Sequence, residues 1–208
     1  MNYKLLLIGL FIYLIGGENH QNITVTLARN GSIRSSVNTI DDRVADKALK
    51  IASLVFNSPE FQDSIIKLRF PYQNHCRNCA KGSRSPEKIL GQVILDSLLR
   101  DQSPKLILNM LPYGKKPRGN KCFGLGKTCP DTYEITSYHD NIDCLMGHEL
   151  PFACAYAIHL CHEYTHNVGY CHTTNDVETD VAEAVGEIAY DLVKKWYNTK
   201  DSRLLNLL

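Results

Sequence analysis

The sequence predicts an α+β fold, and three observations predict it. Apolar residues recur at helical spacing towards both ends of the chain, two β-favouring segments lie between them, and eight cysteines are available to brace loops. At 208 residues the chain suits one well-packed domain. A net charge of +1 and an apolar fraction of 44% describe an ordinary globular protein. That balance carries no electrostatic footprint for nucleic acid or for acidic partners.

The elements follow in order. "MNYKLLLIGLFIYLIGG" has one lysine, an apolar run from Leu5 to Ile15 and two glycines before polar "ENHQN". This is the layout of a secretory signal over residues 1–17, and the run is short for a bilayer span. Its removal leaves residues 18–208 as a single domain with no segment apolar enough for a membrane. A secreted or extracytoplasmic protein, periplasmic or extracellular, is the expectation. Residues 18–40 are polar, without sustained periodicity, and read as an arm or a strand. They hold glycosylation acceptor patterns at Asn22 and Asn30.

Helices are predicted over 41–56, where Val44, Ala48, Ile51, Ala52 and Val55 recur behind an aspartate cap, and over 58–70, where Ser58-Pro59 starts a turn rich in acids. A third cap-and-proline start, Ser85-Pro86, predicts a helix over 85–101. "KLILNMLPY" (105–113) and "TYEITSYHD" (132–140) read as strands, and the glycine- and lysine-rich stretch between them as a long loop tied by Cys122 and Cys129. From Pro151 to His166 the chain is helical again, and a last helix runs from about Val177 to Asn198 behind an apolar stripe that includes Val181, Val185 and Trp196. Cys154 and Cys161 share a helix, and seven residues hold them roughly 10 Å apart, too far for a bond. In "HCRNC" (75–79) the cysteines pair, or alternatively hold zinc as thiolates.

The chemistry is concentrated in "HLCHEYTHNVGYCHT" (159–173), which holds four of the eight histidines. On a helix, residues four apart share a face, so His162 and His166 converge on one point. Glu163 is rotated away from that ligand direction, where it can hold a water bound to the metal. Two ligands undersupply a catalytic zinc, which takes three protein ligands and keeps one position for water. Gly169 accepts the left-handed conformation that ends a helix, and the turn can bring His172 back to the same ion. From the chain's own 9 Glu, 8 His and 13 Gly, these five fixed positions coincide by accident in roughly one such chain in thirty thousand. Three imidazoles favour zinc, although copper or nickel bind the same nitrogens. His159, one turn before His162, is a possible neighbour of the site but reads first as packing or surface. Tyr156, Tyr164 and Tyr170 are candidate hydrogen-bond donors to a transition state.

The pattern H-E-x-x-H-x-x-G-x-x-H, filled by His162, Glu163, His166, Gly169 and His172, resembles that of the metzincins, a clan of zinc endopeptidases. The resemblance covers about eleven residues. It implies a zincin-like catalytic domain over 18–208: a small twisted sheet packed on the active-site helix, with helices at both ends and disulfide bracing. It implies zinc on His162, His166 and His172, and Glu163 as general base and acid towards a zinc-bound water that hydrolyses a protein or peptide substrate. "NSPEF" (57–61) and "AVGEIA" (184–189) are loosely similar to small exported bacterial proteins that carry the motif. The clan's methionine turn has no counterpart, since Met1, Met110 and Met146 all precede the motif. The floor beneath the metal is expected from Val181 and Val185 instead.

Two rivals stand beside this reading. Asp180, Glu183 and Glu187 lie at i, i+3 and i+7 of the last helix, so Glu187 is an alternative third ligand, or the row supplies carboxylates to the imidazoles. A secreted binding or effector protein with a structural zinc, closed by Cys171 or by one of those acids, is the alternative function. Disulfides at Cys161 and Cys171 are expected to brace the site. A monomer is expected.

Overall fold

The helices begin where side chains satisfy the otherwise unpaired first-turn N–H groups. Asp41 accepts from the backbone of Arg43 and Val44 to start α1 (Asp42–Asn57), and Ser58 caps α2 (Pro59–Ile66), which has proline at its first position. The computed structural model describes residues 23–71, 73–75, 83–85, 88–116, 122, 124–130, 132–172 and 180–208. The signal read over 1–17, the acceptor at Asn22, and Cys76 and Cys79 lie outside those residues. Seven helices and a small mixed sheet make the described part α+β. No helix among the described residues is long and apolar enough to cross a membrane.

The main sheet is built on β7 (Lys105–Leu111). Leu106, Leu108 and Met110 alternate inward along it, the period of a strand buried on one face. On one side β7 pairs in parallel with β1 (Ala28–Arg29) and β2 (Arg34–Ser35), so the polar arm before α1 does contribute strands. On the other it pairs in parallel with β9 (Glu134–Tyr138), with Leu108 opposite Ile135. The antiparallel β8 (Gly126–Thr128) then closes the order at one edge.

Two expectations change here. The helix predicted over 85–101 is α3 (Gly91–Leu99) only. Ahead of it, β5 (Ser83–Ser85) pairs with β4 (Gln73–His75), and β6 (Ile89–Leu90) pairs antiparallel with β3 (Arg69–Phe70). Strand pairing from distant sequence outcompetes the local helix start, and it also ends the helix predicted over 58–70 at Ile66. A helix that no periodicity announced, α4 (His139–Met146), follows β9. It has no side-chain cap, and only Ile142, Met146 and Asn141 are buried on it.

The centre of the molecule is α5 (Phe152–Asn167). Thirteen of its sixteen residues are buried, so it is enclosed on almost every side rather than amphipathic. It packs against α1, α6 (Val181–Asn198) and the strands β8 and β9. α6 and the short α7 (Ser202–Leu205) complete the chain. The segment predicted to start the last helix, 177–179, lies outside the described residues, and α6 starts from Asp180 as its cap.

Candidate metal centre

The last two turns of α5 carry His162 and His166, and the turn that ends it carries the rest. The N–H of Gly169 bonds to the carbonyl of His166 at 3.0 Å, and that of Tyr170 to Thr165 at 3.2 Å, the paired bonds of a helix stop that needs a left-handed residue between them. Gly169 supplies it with φ +106°. The chain reverses, and His172 returns to the face it left.

The three Nε2 atoms then form a nearly equilateral triangle: His162 to His166 is 3.2 Å, His166 to His172 3.1 Å, and His162 to His172 3.3 Å. The opposite ring nitrogens explain what those atoms carry. His166 Nδ1 lies 2.5 Å from the Tyr170 carbonyl oxygen, and His172 Nδ1 lies 3.2 Å from the Asp180 carboxylate. These oxygens can only accept, so both protons sit on Nδ1 and each Nε2 presents a bare lone pair. His162 has its own hydrogen bond to the Ala182 backbone. Lone pairs at such spacing repel unless a cation lies between them. The donor set therefore fits a metal ion, and these three histidines are the one such group among the described residues.

The electrostatics suit that role. Burial holds His166 down at about 4, with neighbouring His172 acting the same way, and burial with His166 and His172 holds His162 well below its ordinary range. Both stay neutral, which is the metal-binding form. His172 is the exposed member; burial works against its charged form, but Asp180 and Glu183 outweigh it, so it is raised. Asp180 is wholly buried. One of its oxygens accepts from the N–H groups of Ala182 and Glu183 to cap α6, and the other orients His172.

Glu163, the residue after the first of these histidines, is 5% exposed. Burial pushes its carboxyl up to about 8, and its Oε2 makes no hydrogen bond. Glu163, His162 and His172 line one cleft of about 690 Å³. Its walls are Gly124, Leu125 and Gly126 beside β8, Leu145 and Met146 of α4, Ile158 and His159 of α5, and Glu183, Gly186, Glu187 and Tyr190 of α6. Gly186 is a close approach: a Cβ there would sit 3.2 Å from His162 Nδ1.

Asp180 and Glu183 meet the outer nitrogen of His172, the carboxylate role expected of the acidic row, while other expectations change. Glu187 lines the cleft but is outside the ligand triangle. Glu183 Oε1 is 3.6 Å from His172 Nδ1, on the outer side of that ring. Tyr156, Tyr164 and Tyr170 are core residues, and Tyr170 O–H meets Ser97 Oγ at 3.2 Å; the tyrosine in the cleft is Tyr190, which carried no sequence signal beyond its place on a helix. Cys122 bonds to Cys144 rather than Cys129, because α4 lies against the loop. Cys161 is a buried free thiol, as is Cys154, since both face the packed interior of α5. Cys171 and Cys129 are disulfide-bonded. Val181 and Val185 are buried, and from the same helix Gly186 and the Ala182 backbone come against His162. No family model, curated protein or solved structure matches this chain.

Proposed function

We propose that the chain is an exported zinc endopeptidase of metzincin-like, zincin-like build, with zinc on His162, His166 and His172 and Glu163 as general base and acid. The observation that carries the reading is the triangle of bare Nε2 atoms beside a buried carboxyl that opens on the same cleft. Zinc–imidazole bonds of about 2.0–2.1 Å at tetrahedral angles separate ligand nitrogens by about 3.3 Å, against 3.1 to 3.3 Å here. When bound, zinc supplies a Lewis acid that polarises a carbonyl and lowers the pKa of water.

The chain's own groups do the rest. Glu163 takes the proton of the attacking water and returns it to the leaving amine. Asp180 and the Tyr170 carbonyl hold the two outer imidazoles in the tautomer that leaves Nε2 free. An extended peptide pairs with an open strand edge. β7 and β9 each have partners on both sides, so neither "KLILNMLPY" nor "TYEITSYHD" offers one; among the described residues β8, whose Gly126 lines the cleft, pairs on one side only. The disulfide Cys122–Cys144 fits an oxidising compartment.

A closed structural zinc needs a fourth protein ligand. Cys171 is disulfide-bonded and is no thiolate, and no fourth His, Cys, Asp or Glu joins the triangle among the described residues. The test is cleavage of casein and a peptide library by zinc-loaded protein, with Glu163→Gln as the control. Cleavage that depends on zinc and disappears in the variant, metal retained, supports the proposal. If neither protein cuts anything and X-ray absorption counts four protein ligands, the structural reading replaces it.

A further inference from the structure

His159 has no part in ligating the metal, yet it is built into the same region with unusual care. Its ring is 1% exposed, in the interior of α5. Nε2 lies 3.1 Å from Ser137 Oγ on β9, and Tyr156 stacks on the ring at 6.4 Å between centroids. Gly126 of β8 makes room for it: a Cβ at that position would come within 2.5 Å of His159 Nε2 and of the Thr136 carbonyl oxygen. The imidazole is thus fixed by the sheet on one side and an aromatic ring on another. A leucine would fill such a space with no polar group to satisfy.

The other ring nitrogen explains the choice. His159 Nδ1 is buried without a hydrogen-bond partner, and the polar atom it faces is Glu163 Oε1, at 3.7 Å. The two residues are four apart on α5, the spacing that stacks side chains on one helix face. Buried polar atoms are rarely left unpaired, and a small rotation of the Glu163 side chain brings this pair into hydrogen-bond range.

We propose that His159 is a positioning residue for Glu163: Ser137 O–H donates to Nε2, Nδ1–H holds one carboxylate oxygen, and the other oxygen is left turned to the cleft. The role rests on the hydrolytic reading for its catalytic consequence, while the hydrogen bond itself does not. It gives Glu163 a fixed direction that a lone flexible carboxyl lacks. Misplacing a reacting group by about 1 Å costs on the order of 10²-fold in rate.

The experiment has two arms. In the zinc-loaded protein, long-range ¹H–¹⁵N spectra are expected to show His159 as the Nδ1–H tautomer, with a proton resonance that moves in Glu163→Ala. In kinetics, His159→Leu and His159→Gln, which lack a donor at the Nδ1 position, are expected to lose about 10²-fold in kcat, with KM and zinc content unchanged. His159→Asn, which restores a donor there, is expected to recover most of the loss. An Nε2–H tautomer, or a resonance indifferent to Glu163→Ala, overturns the proposal. So does an unchanged kcat in His159→Leu, or a loss of zinc and thermal stability that tracks activity equally in all three variants. Should the wild-type protein cleave nothing, the hydrolytic reading fails, and the spectra alone decide whether His159 holds Glu163.

Discussion

Replacing Asp180 by asparagine and by alanine separates the two tasks of its carboxylate. One oxygen accepts from the N–H groups of Ala182 and Glu183 at 3.0 and 3.2 Å; the other faces His172 Nδ1 at 3.2 Å. Alanine removes both. Losing an N-cap costs about 1 kcal/mol, and in a chain of this length that lowers the melting midpoint by roughly 2–4 °C. Asparagine is as good a cap as aspartate, but an amide has one acceptor oxygen. The two helix N–H groups claim it and leave the amide nitrogen towards His172. Losing the outer partner of a ligand imidazole typically weakens metal binding about 10- to 100-fold, or about 1.4 to 2.8 kcal/mol.

The assay is zinc competition against a chromophoric chelator, paired with calorimetry in excess chelator and in zinc. Asp180→Asn should melt like the wild type without metal and bind zinc at least tenfold more weakly. At zinc equal to 100 wild-type Kd, bound metal adds about 2.7 kcal/mol to the wild type, and a tenfold weaker variant keeps about 1.4 kcal/mol. Asp180→Ala should show both defects. If Asp180→Asn binds zinc as tightly as the wild type, the carboxylate does not orient His172 and the reasoning fails.

Three further outcomes are expected. Gly169→Ala meets no steric obstacle, since nothing lies within 4 Å of a Cβ there, so its cost is the backbone at φ +106° alone: about 1–2 kcal/mol by chemical denaturation, with weaker zinc binding because His172 hangs from that turn; equal stability would refute the turn's role. Replacing Cys122 and Cys144 together by serine opens a loop of sequence separation 22, with an expected loss of about 3 kcal/mol; urea midpoints unchanged from the wild type would mean the bond constrains little. Burial holds His159 at about 3, below its ordinary 6.5, so the unfolded chain takes a proton between those values that the folded one refuses. Stability contributed by neutral His159 therefore declines as pH falls from about 6.5 towards 3, by up to about 1.4 kcal/mol per pH unit. Metal-free His159→Gln should show a correspondingly flatter acid-unfolding profile by circular dichroism, and a profile parallel to the wild type would contradict the assignment.

The candidate site was largely legible because its spacing is local. His162 and His166 are one helical turn apart, and Gly169 and His172 follow within six residues of the second ligand, so backbone geometry alone relates them. Asp180 was visible only as one of a row of acids. Its service to His172 exists because α6 packs on α5, a contact no local pattern encodes. The same limit hid α4. Asn141 Nδ2 donates to the carbonyls of Gly124 and Lys115 at 3.0 and 3.3 Å, and Cys144 is bonded to Cys122, so the helix is held by partners far along the chain. Cys122 was matched to Cys129 by nearness in sequence, whereas bonding follows nearness in space. His159 looked like packing because its partners Ser137 and Gly126 lie on strands 22 and 33 residues away.

By itself the sequence determined the helices of α1, α2, α5 and α6, the strands β7 and β9, and the residues able to take a metal, since each depends on periodicity, caps and turns within a few residues. Only the tertiary structure decided which strand ends the sheet among the described residues, which cysteines pair, which tyrosine enters the cleft and which side chains come to lie against His172 and Glu163. Those outcomes come from burial and from contacts between distant segments, whose energies are comparable to local preferences and override them wherever the two disagree.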